Sequence, residues 1–243
     1  YVMSDKISCE RTFFQYRGAN AHFSEESFNW DDIDCDLLHI AYILLLDELD
    51  KEDREYGTKM ARLLAHAKER GIKTSIDVVS ETGERFGRLV PPALRYTDYC
   101  IINEIEASRS TGIQLRAEDG ALIYENVKKV LSKLFELGVS EWAVIHSPEG
   151  GFGMDKDGDY AECGLVYTPS GFIKGKVGAG DAFCAGVLSA AHRGLSLLDA
   201  VKLGNAAATV SLRSPGATEA METIEETMRI CSELGFEPVK LNK

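Results

Sequence analysis

The chain has 243 residues, of which 44% are hydrophobic, and its 39 acidic against 27 basic side chains give a formal net charge of −12. That length is enough for one sizeable α/β core, and the negative average field disfavours nucleic acid and anionic membranes as partners. Net charge reports only the surface average, so a local pocket for a small phosphate compound is compatible with it.

The cysteine pattern and the apolar runs indicate the compartment. The 6 cysteines are scattered and form no CxxC pair, which excludes zinc-knuckle and thioredoxin motifs and predicts free thiols in a reducing cytosol. The longest apolar run, residues 40–46, is far shorter than the roughly 20 residues of a transmembrane helix. We therefore expect a cytoplasmic protein with no membrane partner.

The first third of the chain predicts strands and one crossover helix. Residues 13–16 and 21–23 flank a turn and predict two short strands. Residues 37–46 form a nearly unbroken apolar run, which predicts a strand buried on both faces. Residues 53–70 carry apolar side chains at helical spacing and end at a glycine.

The remaining elements continue this alternation. Strands are predicted at 72–79, 99–102 and 142–145, helices at 86–94 and 122–137, an edge hairpin over 150–167, and C-terminal helices at 181–192, 196–212 and 218–234. Thr218 is the expected N-cap of the last helix, and Gly194 and Gly235 are expected helix stops. Because strands and helices alternate, we expect a doubly wound, mostly parallel α/β sheet within a single domain, residues 1–243.

The strongest local signal is residues 174–186, where a glycine-rich turn leads into a helix of small residues. Gly178 and Gly180 let successive N–H groups point into one concavity, and the helix adds the positive end of its dipole. The pattern predicts a phosphoryl site with Asp181 at its mouth, taking a proton from an attacking hydroxyl. On the tetrapeptide alone, an aspartate that caps the helix is the simpler interpretation.

Two familiar phosphate motifs are excluded at this segment. A Walker loop fails because Ser170 stands at its first glycine and Val177 follows Lys176. The dinucleotide fingerprint fails because Phe183 stands at its third glycine. The stretch instead resembles the C-terminal signature of the ribokinase family, also called the phosphofructokinase B carbohydrate kinases.

That resemblance implies a three-layer ribokinase-like fold with a small β lid, and ATP and Mg²⁺ as cofactors. Asp181 would be the catalytic base, and the backbone of Gly178, Ala179 and Gly180 would hold the transferring γ-phosphate. The residues before the turn, Gly175-Lys176-Val177, depart from the family's usual Asp-Thr-Thr. Activation by a monovalent cation is therefore left open.

A second match lies at Asn103 and Glu106, directly after a predicted strand. They resemble the family's Asn-x-x-Glu motif, which implies that they bind the cofactor by organising the water shell of Mg²⁺ and the ATP phosphates. Taken alone, the pair is a helix-capping box. Both interpretations place the pair at the carboxyl end of a parallel strand, where open sheets bind ligands.

Two further segments resemble the family's nucleotide site. Residues 204–210 resemble its closing helix, with Asn205 as the expected nucleotide-binding residue, although a core helix explains the alanines 206–208 equally well. Residues 146–151 occupy the place of the nucleotide-binding strand end, which points to Gly150. His146 is interpreted as structural.

Residues 10–23 resemble part of the family's β lid, in which Arg11, Arg17 and Asn20 would face the substrate. An arginine can bind a sugar acid's carboxylate, although an arginine on a lid edge is commonly just solvated. The closest likeness is to hexose and keto-deoxy-sugar acid kinases, and the lid also suggests a homodimer.

The resemblance begins partway into the family pattern, so about the first third has no counterpart in this sequence. We expect uncovered sheet edges and weak or no activity towards sugar from residues 1–243 alone. The predicted function is ATP-dependent phosphorylation of a sugar hydroxyl, as in fructokinases or 2-keto-3-deoxygluconate kinases. The alternatives are a nucleoside or phosphosugar kinase of the same fold and a non-catalytic sugar- or nucleotide-sensing relative.

Overall fold

The structure is a computed structural model, and it describes residues 2–4, 11–79, 83 and 85–239. The strands are β1 Val2–Ser4, β2 Arg11–Phe13, β3 Leu37–Ile43, β4 Glu52–Asp53, β5 Gly57–Thr58, β6 Lys73–Val78, β7 Tyr99–Asn103, β8 Trp142–Ser147, β9 Gly150–Asp155 and β10 Tyr160–Gly164. The α-helices are α1 Lys59–Glu69, α2 Phe86–Leu94, α3 Glu104–Thr111, α4 Tyr124–Leu137, α5 Ala179–His192, α6 Leu197–Ser211 and α7 Ile224–Leu234.

A six-stranded sheet in the order β10-β9-β8-β7-β6-β3 organises the molecule. Strands β3, β6, β7 and β8 are parallel, and β9 and β10 add an antiparallel hairpin at one edge. Alternate residues of β7 enter two cores: Cys100 and Ile102 pack with α1, α2 and α4, and Ile101 packs with α5 and α6. Helices therefore cover both faces, which confirms the three-layer, doubly wound fold.

The strand predicted over residues 37–46 is shorter and more exposed than expected. β3 ends at Ile43, and it is the last strand of the sheet in the described part of the chain. His39 and Tyr42 are exposed, while Ile40 and Ile43 are buried. The expectation of burial on both faces is therefore wrong for this strand within the described residues.

The lid region also differs from its prediction. β2 pairs with β1 in antiparallel register, and residues 14–16 lie outside any strand. Gly18–His22 is a 3-10 helix instead of a strand. Its first turn closes by a bond from the Asn20 N–H to the Arg17 carbonyl, and Gly18 supplies a positive φ of 52°. Glu10, the first residue assigned to the lid, lies outside the described residues.

Two helix starts were placed too early. α7 begins at Ile224, and its N-cap is Thr223, whose side chain accepts from the Glu226 N–H, so the Thr218 cap was wrong. α1 begins at Lys59 with Thr58 as its cap, because residues 52–58 form the small β4–β5 ladder first. Each start is fixed by a capping threonine that apolar periodicity does not reveal.

Within the described residues, the cysteines at 35, 100, 163, 184 and 231 are free. None of the described helices combines the length and the apolar character that crossing a bilayer requires.

Candidate active site

Three cavities adjoin one another, the central and third at the carboxyl ends of the parallel strands and the first along β3. The first cavity, of about 510 Å³, and the central cavity, of about 470 Å³, share Tyr42 in their walls. The third cavity, of about 230 Å³, shares His146 and Gly180 with the central one. Open parallel sheets bind ligands at the carboxyl ends of their strands. Together, the adjoining cavities can hold two ligands placed end to end.

The glycine-rich turn has the geometry that its sequence predicts. Gly178 is the N-cap of α5 in a left-handed conformation, with φ of +75°. A Cβ there would lie 2.8 Å from the Cβ of Ala217, and one on Gly180 would lie 3.3 Å from Cε1 of His146. The first-turn N–H groups of α5 have no partner within the helix, and together with the helix dipole they are suited to bind an anion.

Asp181 lies in the first turn of α5 and its side chain is exposed. The capping interpretation of this residue is wrong, because the N-cap is Gly178 and no side-chain capping bond is present at this helix start. Oδ1 of Asp181 instead accepts a hydrogen bond of 2.6 Å from the Tyr42 hydroxyl. The carboxylate is thus held in the central cavity, beside the amide turn.

Asn103 and Glu106 form a complete capping box at the start of α3. Oδ1 of Asn103 accepts from the N–H groups of Ile105 and Glu106, and Oε2 of Glu106 accepts from the Asn103 N–H at 2.9 Å. Both residues also line the central cavity. The box therefore fixes the two side chains at this edge, and the structural and functional interpretations are compatible.

Asp77, at the end of β6, is a third carboxyl group in the central cavity and was missed in the sequence. Burial, and then the charge of Glu106, raise its pKa to about 8. Its only sequence signal is its position near a strand end. Asp77, Glu106 and Asp181 place three carboxyl groups on the cavity wall, and its described lining contains no lysine or arginine.

This donor set fits a hydrated Mg²⁺ ion. Carboxylate and amide oxygens suit a hard cation that keeps several waters. Among the described residues, no three histidine, cysteine or acidic side chains converge closely enough to hold a metal by themselves. A polyphosphate beside three carboxyl groups needs such a counter-charge, so the residues present fit a metal held through water.

His146 forms the wall between the central and third cavities. Burial lowers its pKa to about 4, and its ring packs on Phe183 with the ring centroids 4.9 Å apart. At neutral pH the imidazole is uncharged. The ring packs beside Gly180, which agrees with the structural interpretation of this histidine.

The third cavity is mostly apolar, with Val166, Ile173 and Leu212 in its wall. Asn205 also lines it, but its side-chain amide donates to the carbonyls of Cys163 and Gly164 at 2.9 and 3.0 Å. Asn205 therefore shapes the wall by joining α6 to β10. Its direct contact with a nucleotide stays a prediction.

Gly150 is the first residue of β9, directly after the β8–β9 turn, and does not line the wall of this cavity. It adopts a φ of 153°, and a Cβ there would come within 2.5 Å of the Cys163 carbonyl. Close packing of the hairpin is a sufficient reason for glycine at this position. The predicted cofactor contact of Gly150 is not supported by this placement.

Of the three residues predicted to face the substrate, the structure places only Asn20 on the wall of the first cavity among those whose side chains it describes. Asn20 lines this cavity together with Gln15 and Phe23. Arg17 forms an ion pair with Asp47 and is not part of the cavity wall. Arg11 lies in β2, and its side chain is outside the described part of the chain.

Arg116 joins the start of helix α3 to the β8–β9 turn. Arg116 binds Glu104, the first residue of α3, at 2.7 Å and Glu149 at 2.5 Å. The three side chains are only 18%, 11% and 14% exposed. Although burial opposes it, the Arg116 guanidinium holds the pKa of Glu149 below its ordinary value. The cluster braces α3 against the turn that follows β8.

Comparisons with known proteins identify the family and the fold of this chain. A family model described as pfkB family carbohydrate kinase matches residues 1–224. A curated relative, the 2-dehydro-3-deoxygluconokinase of Bacillus subtilis, is 37% identical over 81 residues, which span 30% of this chain but only 24% of that protein.

Two solved structures from Thermotoga maritima have the same fold. A ribokinase superposes with a TM-score of 0.70 at 20% identity over 95% of this chain and 68% of its own. A 2-dehydro-3-deoxygluconokinase superposes with a TM-score of 0.70 at 19% identity over 92% and 69%.

Proposed function

The chain belongs to the pfkB family of carbohydrate kinases, and we propose that the protein transfers the γ-phosphoryl group of ATP to a hydroxyl of a sugar or sugar acid. The three cavities suit the three parts of that reaction. The apolar cavity would take the nucleoside, the central cavity the phosphates, and the first cavity the acceptor.

One observation carries the proposal: an exposed carboxylate, Asp181, directly follows an amide turn at a helix N-terminus, inside the cavity that holds Asn103 and Glu106. Asp181 takes the proton of the acceptor hydroxyl, and the amides of Gly178 to Asp181 stabilise charge on the phosphoryl oxygens. Asn103 and Glu106 would hold Mg²⁺ through water. When bound, that ion neutralises phosphate charge.

Among acceptors, 2-dehydro-3-deoxygluconate is the first candidate and fructose the second. The support is the relative that is 37% identical over 81 residues, whose name specifies the sugar acid. The first cavity offers the amide side chains of Gln15 and Asn20 beside the ring of Phe23, a combination that suits a hydroxylated ligand with an apolar face. Whether Arg11 binds an acceptor carboxylate stays a prediction.

The test is coupled ADP release by the full-length protein with a panel of sugars, sugar acids, phosphosugars and nucleosides. We expect one sugar or sugar acid to support turnover. Asp181→Asn should lower kcat by about 10²- to 10⁴-fold, the usual contribution of a general base, and change the dissociation constant for ATP only slightly.

The matched control is Asp157→Asn, an exposed aspartate in the β9–β10 turn, which should leave kcat unchanged. Turnover of a nucleoside or phosphosugar alone would move the assignment to that acceptor class. No turnover with any acceptor would favour the sensing relative and contradict the kinase.

A further inference from the structure

Tyr42 stands between the first and central cavities and belongs to the walls of both. Its hydroxyl donates a hydrogen bond of 2.6 Å to Oδ1 of Asp181. A general base has to lie about 2.6–3.2 Å from the hydroxyl that it deprotonates. The phenol hydroxyl therefore occupies a position at Asp181 that an acceptor hydroxyl needs.

The backbone at Tyr42 departs from regular strand geometry. β3 pairs with β6 as Ile40↔Ile76 and Ile43↔Val78, so the register shifts by one residue at Ala41 and Tyr42. Tyr42 has a φ of 64°, a region that a bulky residue rarely adopts. Bulges of this kind re-aim a side chain next to active sites, and here the bulge directs Tyr42 to Asp181.

The segment after the bulge is held in place by a buried carboxylate. Leu44 also has a positive φ, of 87°, and its N–H donates to Oδ1 of Asp50 at 3.0 Å. Oδ2 of Asp50 pairs with Arg85 at 3.0 Å. The strained conformation is thus maintained by contacts that do not involve the Tyr42 ring. Such strain is characteristic of switch and ligand-binding segments.

The Tyr42 side chain itself is free to leave its position without opening a core. Tyr42 is 40% exposed, so rotation of its ring would leave no empty space inside a packed core. Burial, and then the hydrogen bond to Asp181, raise the pKa of the phenol. The hydroxyl thus keeps its proton at neutral pH and remains a donor that competes with any other hydroxyl.

We propose that Tyr42 is the gate of the acceptor site. Its hydroxyl donates a hydrogen bond to the Asp181 carboxylate until an acceptor hydroxyl displaces it. The proposal rests on the function of Asp181 as the base. Displacement breaks a hydrogen bond to a charged group, so acceptor binding is weakened by that amount. Only acceptors whose own hydroxyl compensates for the lost bond bind well, and Tyr42 thereby contributes to specificity.

The contact can be tested without turnover, by NMR of the full-length protein labelled with ¹³Cζ-tyrosine. Tyr42→Phe identifies the Tyr42 signal, and Asp181→Asn should shift it. Saturation with the acceptor that supports turnover should shift it in the same direction. The signal of Tyr99, which begins β7 and lines none of the three cavities, should not move. A Tyr42 signal that is unaffected by Asp181→Asn would overturn the gate, whatever reaction the protein catalyses.

The kinetic test separates the acceptor from ATP. In Tyr42→Phe, the KM for the acceptor should fall about tenfold, the equivalent of one hydrogen bond to a charged group, while the KM for ATP does not change. Tyr42→Gly, which accepts a positive φ without strain, should fold and show the same lowered acceptor KM. An acceptor KM that is unchanged or higher in both variants contradicts the gate. If no acceptor is turned over, the kinase assignment fails and the NMR result decides the gate alone.

Discussion

At the scale of single residues, Gly178 and Gly158 adopt similar left-handed conformations, with φ of +75° and +86°. Their surroundings differ: a Cβ on Gly178 would lie 2.8 Å from the Cβ of Ala217, whereas nothing lies within 4 Å of a Cβ on Gly158. Gly158→Ala should cost about 1–2 kcal/mol of unfolding free energy from the backbone alone. Gly178→Ala should cost clearly more, and should also weaken Mg·ATP binding.

Urea denaturation of the two variants measures the first part, and titration with Mg·ATP measures the second. Equal losses of stability would mean that the turn adjusts to the added methyl group. Unchanged Mg·ATP affinity in a folded Gly178→Ala protein would contradict the assignment of this turn to phosphate.

His146 predicts a pH dependence of stability. Burial lowers its pKa to about 4, below its ordinary value of about 6.5, so between these values the unfolded chain binds a proton that the folded protein does not. The free energy of unfolding that the uncharged His146 contributes is therefore fully present above pH 6.5 and is lost as the pH falls towards 4. The loss should reach up to about 3 kcal/mol.

Urea unfolding at several pH values should show that His146→Gln flattens this acid-side decline. His192→Gln, at an exposed site on α5, is the matched control and should leave the wild-type profile unchanged. A decline of the same size in His146→Gln would assign it to other groups.

The residues that sequence reasoning found and missed differ in how they are specified. Gly178 and Asp181 belong to one local pattern along the chain, so the sequence alone singles them out, and their roles stay predictions. Tyr42 and Asp77 are brought into the central cavity by the sheet alone, and no local spacing marks them. Arg17 was expected at the substrate, but the fold places Asp47 beside it.

At the scale of elements, α5 and α6 approach each other closely at Gly186. A Cβ there would lie 2.8 Å from the Leu203 carbonyl oxygen and 2.9 Å from the Gly204 Cα. Gly186→Ala should therefore force the helices apart and cost about 1–3 kcal/mol. Because α5 carries Asp181 and α6 forms part of the third cavity, catalytic efficiency should fall as well.

Gly87→Ala provides the contrast, because Gly87 lies in α2 and a methyl group added there would have nothing within 4 Å. This variant should gain up to about 1 kcal/mol, as glycine-to-alanine changes do at compatible helical sites. Thermal and urea denaturation compare the two. A neutral Gly186→Ala would show that the helix pair tolerates a wider separation.

Element types followed well from periodicity, and element boundaries did not. α2 was predicted with its observed limits, and the β9–β10 hairpin was recognised from its turn. The lid was less predictable, because residues 18–22 form a 3-10 helix stabilised by local backbone bonds. Short apolar and aromatic runs favour strands, but such bonds can override that preference.

At the scale of the whole molecule, the row of cavities predicts where Mg·ATP reduces hydrogen exchange. The central and third cavities involve residues 178–184 and 205–212 together with the loop at 165–173. Amides in these segments should exchange more slowly with Mg·ATP, because bound ligand suppresses local opening. Residues 52–58, in the β4–β5 ladder away from these cavities, should be unaffected.

Peptide-resolved exchange with and without Mg·ATP makes the comparison. Protection confined to the lid segment 11–23 would place the nucleotide in the first cavity and contradict the proposed order. Uniform slowing across the sheet would indicate global stabilisation rather than a local site.

The overall architecture was the most predictable feature, because alternating strands and helices permit few arrangements of a parallel sheet. The net charge of −12 is compatible with a phosphate ligand for the reason that the glycine-rich turn already indicated in the sequence. The proposed anion site uses backbone amides, which leave no trace in the charge of a sequence.

The ion cluster of Arg116, Glu104 and Glu149 constrains how this chain can diverge over generations. Loss of Arg116 leaves two largely buried carboxylates without compensation, typically at about 3–5 kcal/mol, whereas loss of one glutamate leaves the other still paired with the guanidinium. Substitution of Arg116 is therefore disfavoured while both glutamates remain. In descendants of this chain, Arg116 should persist together with at least one of the two glutamates, and their covariation would record the brace between α3 and the β8–β9 turn.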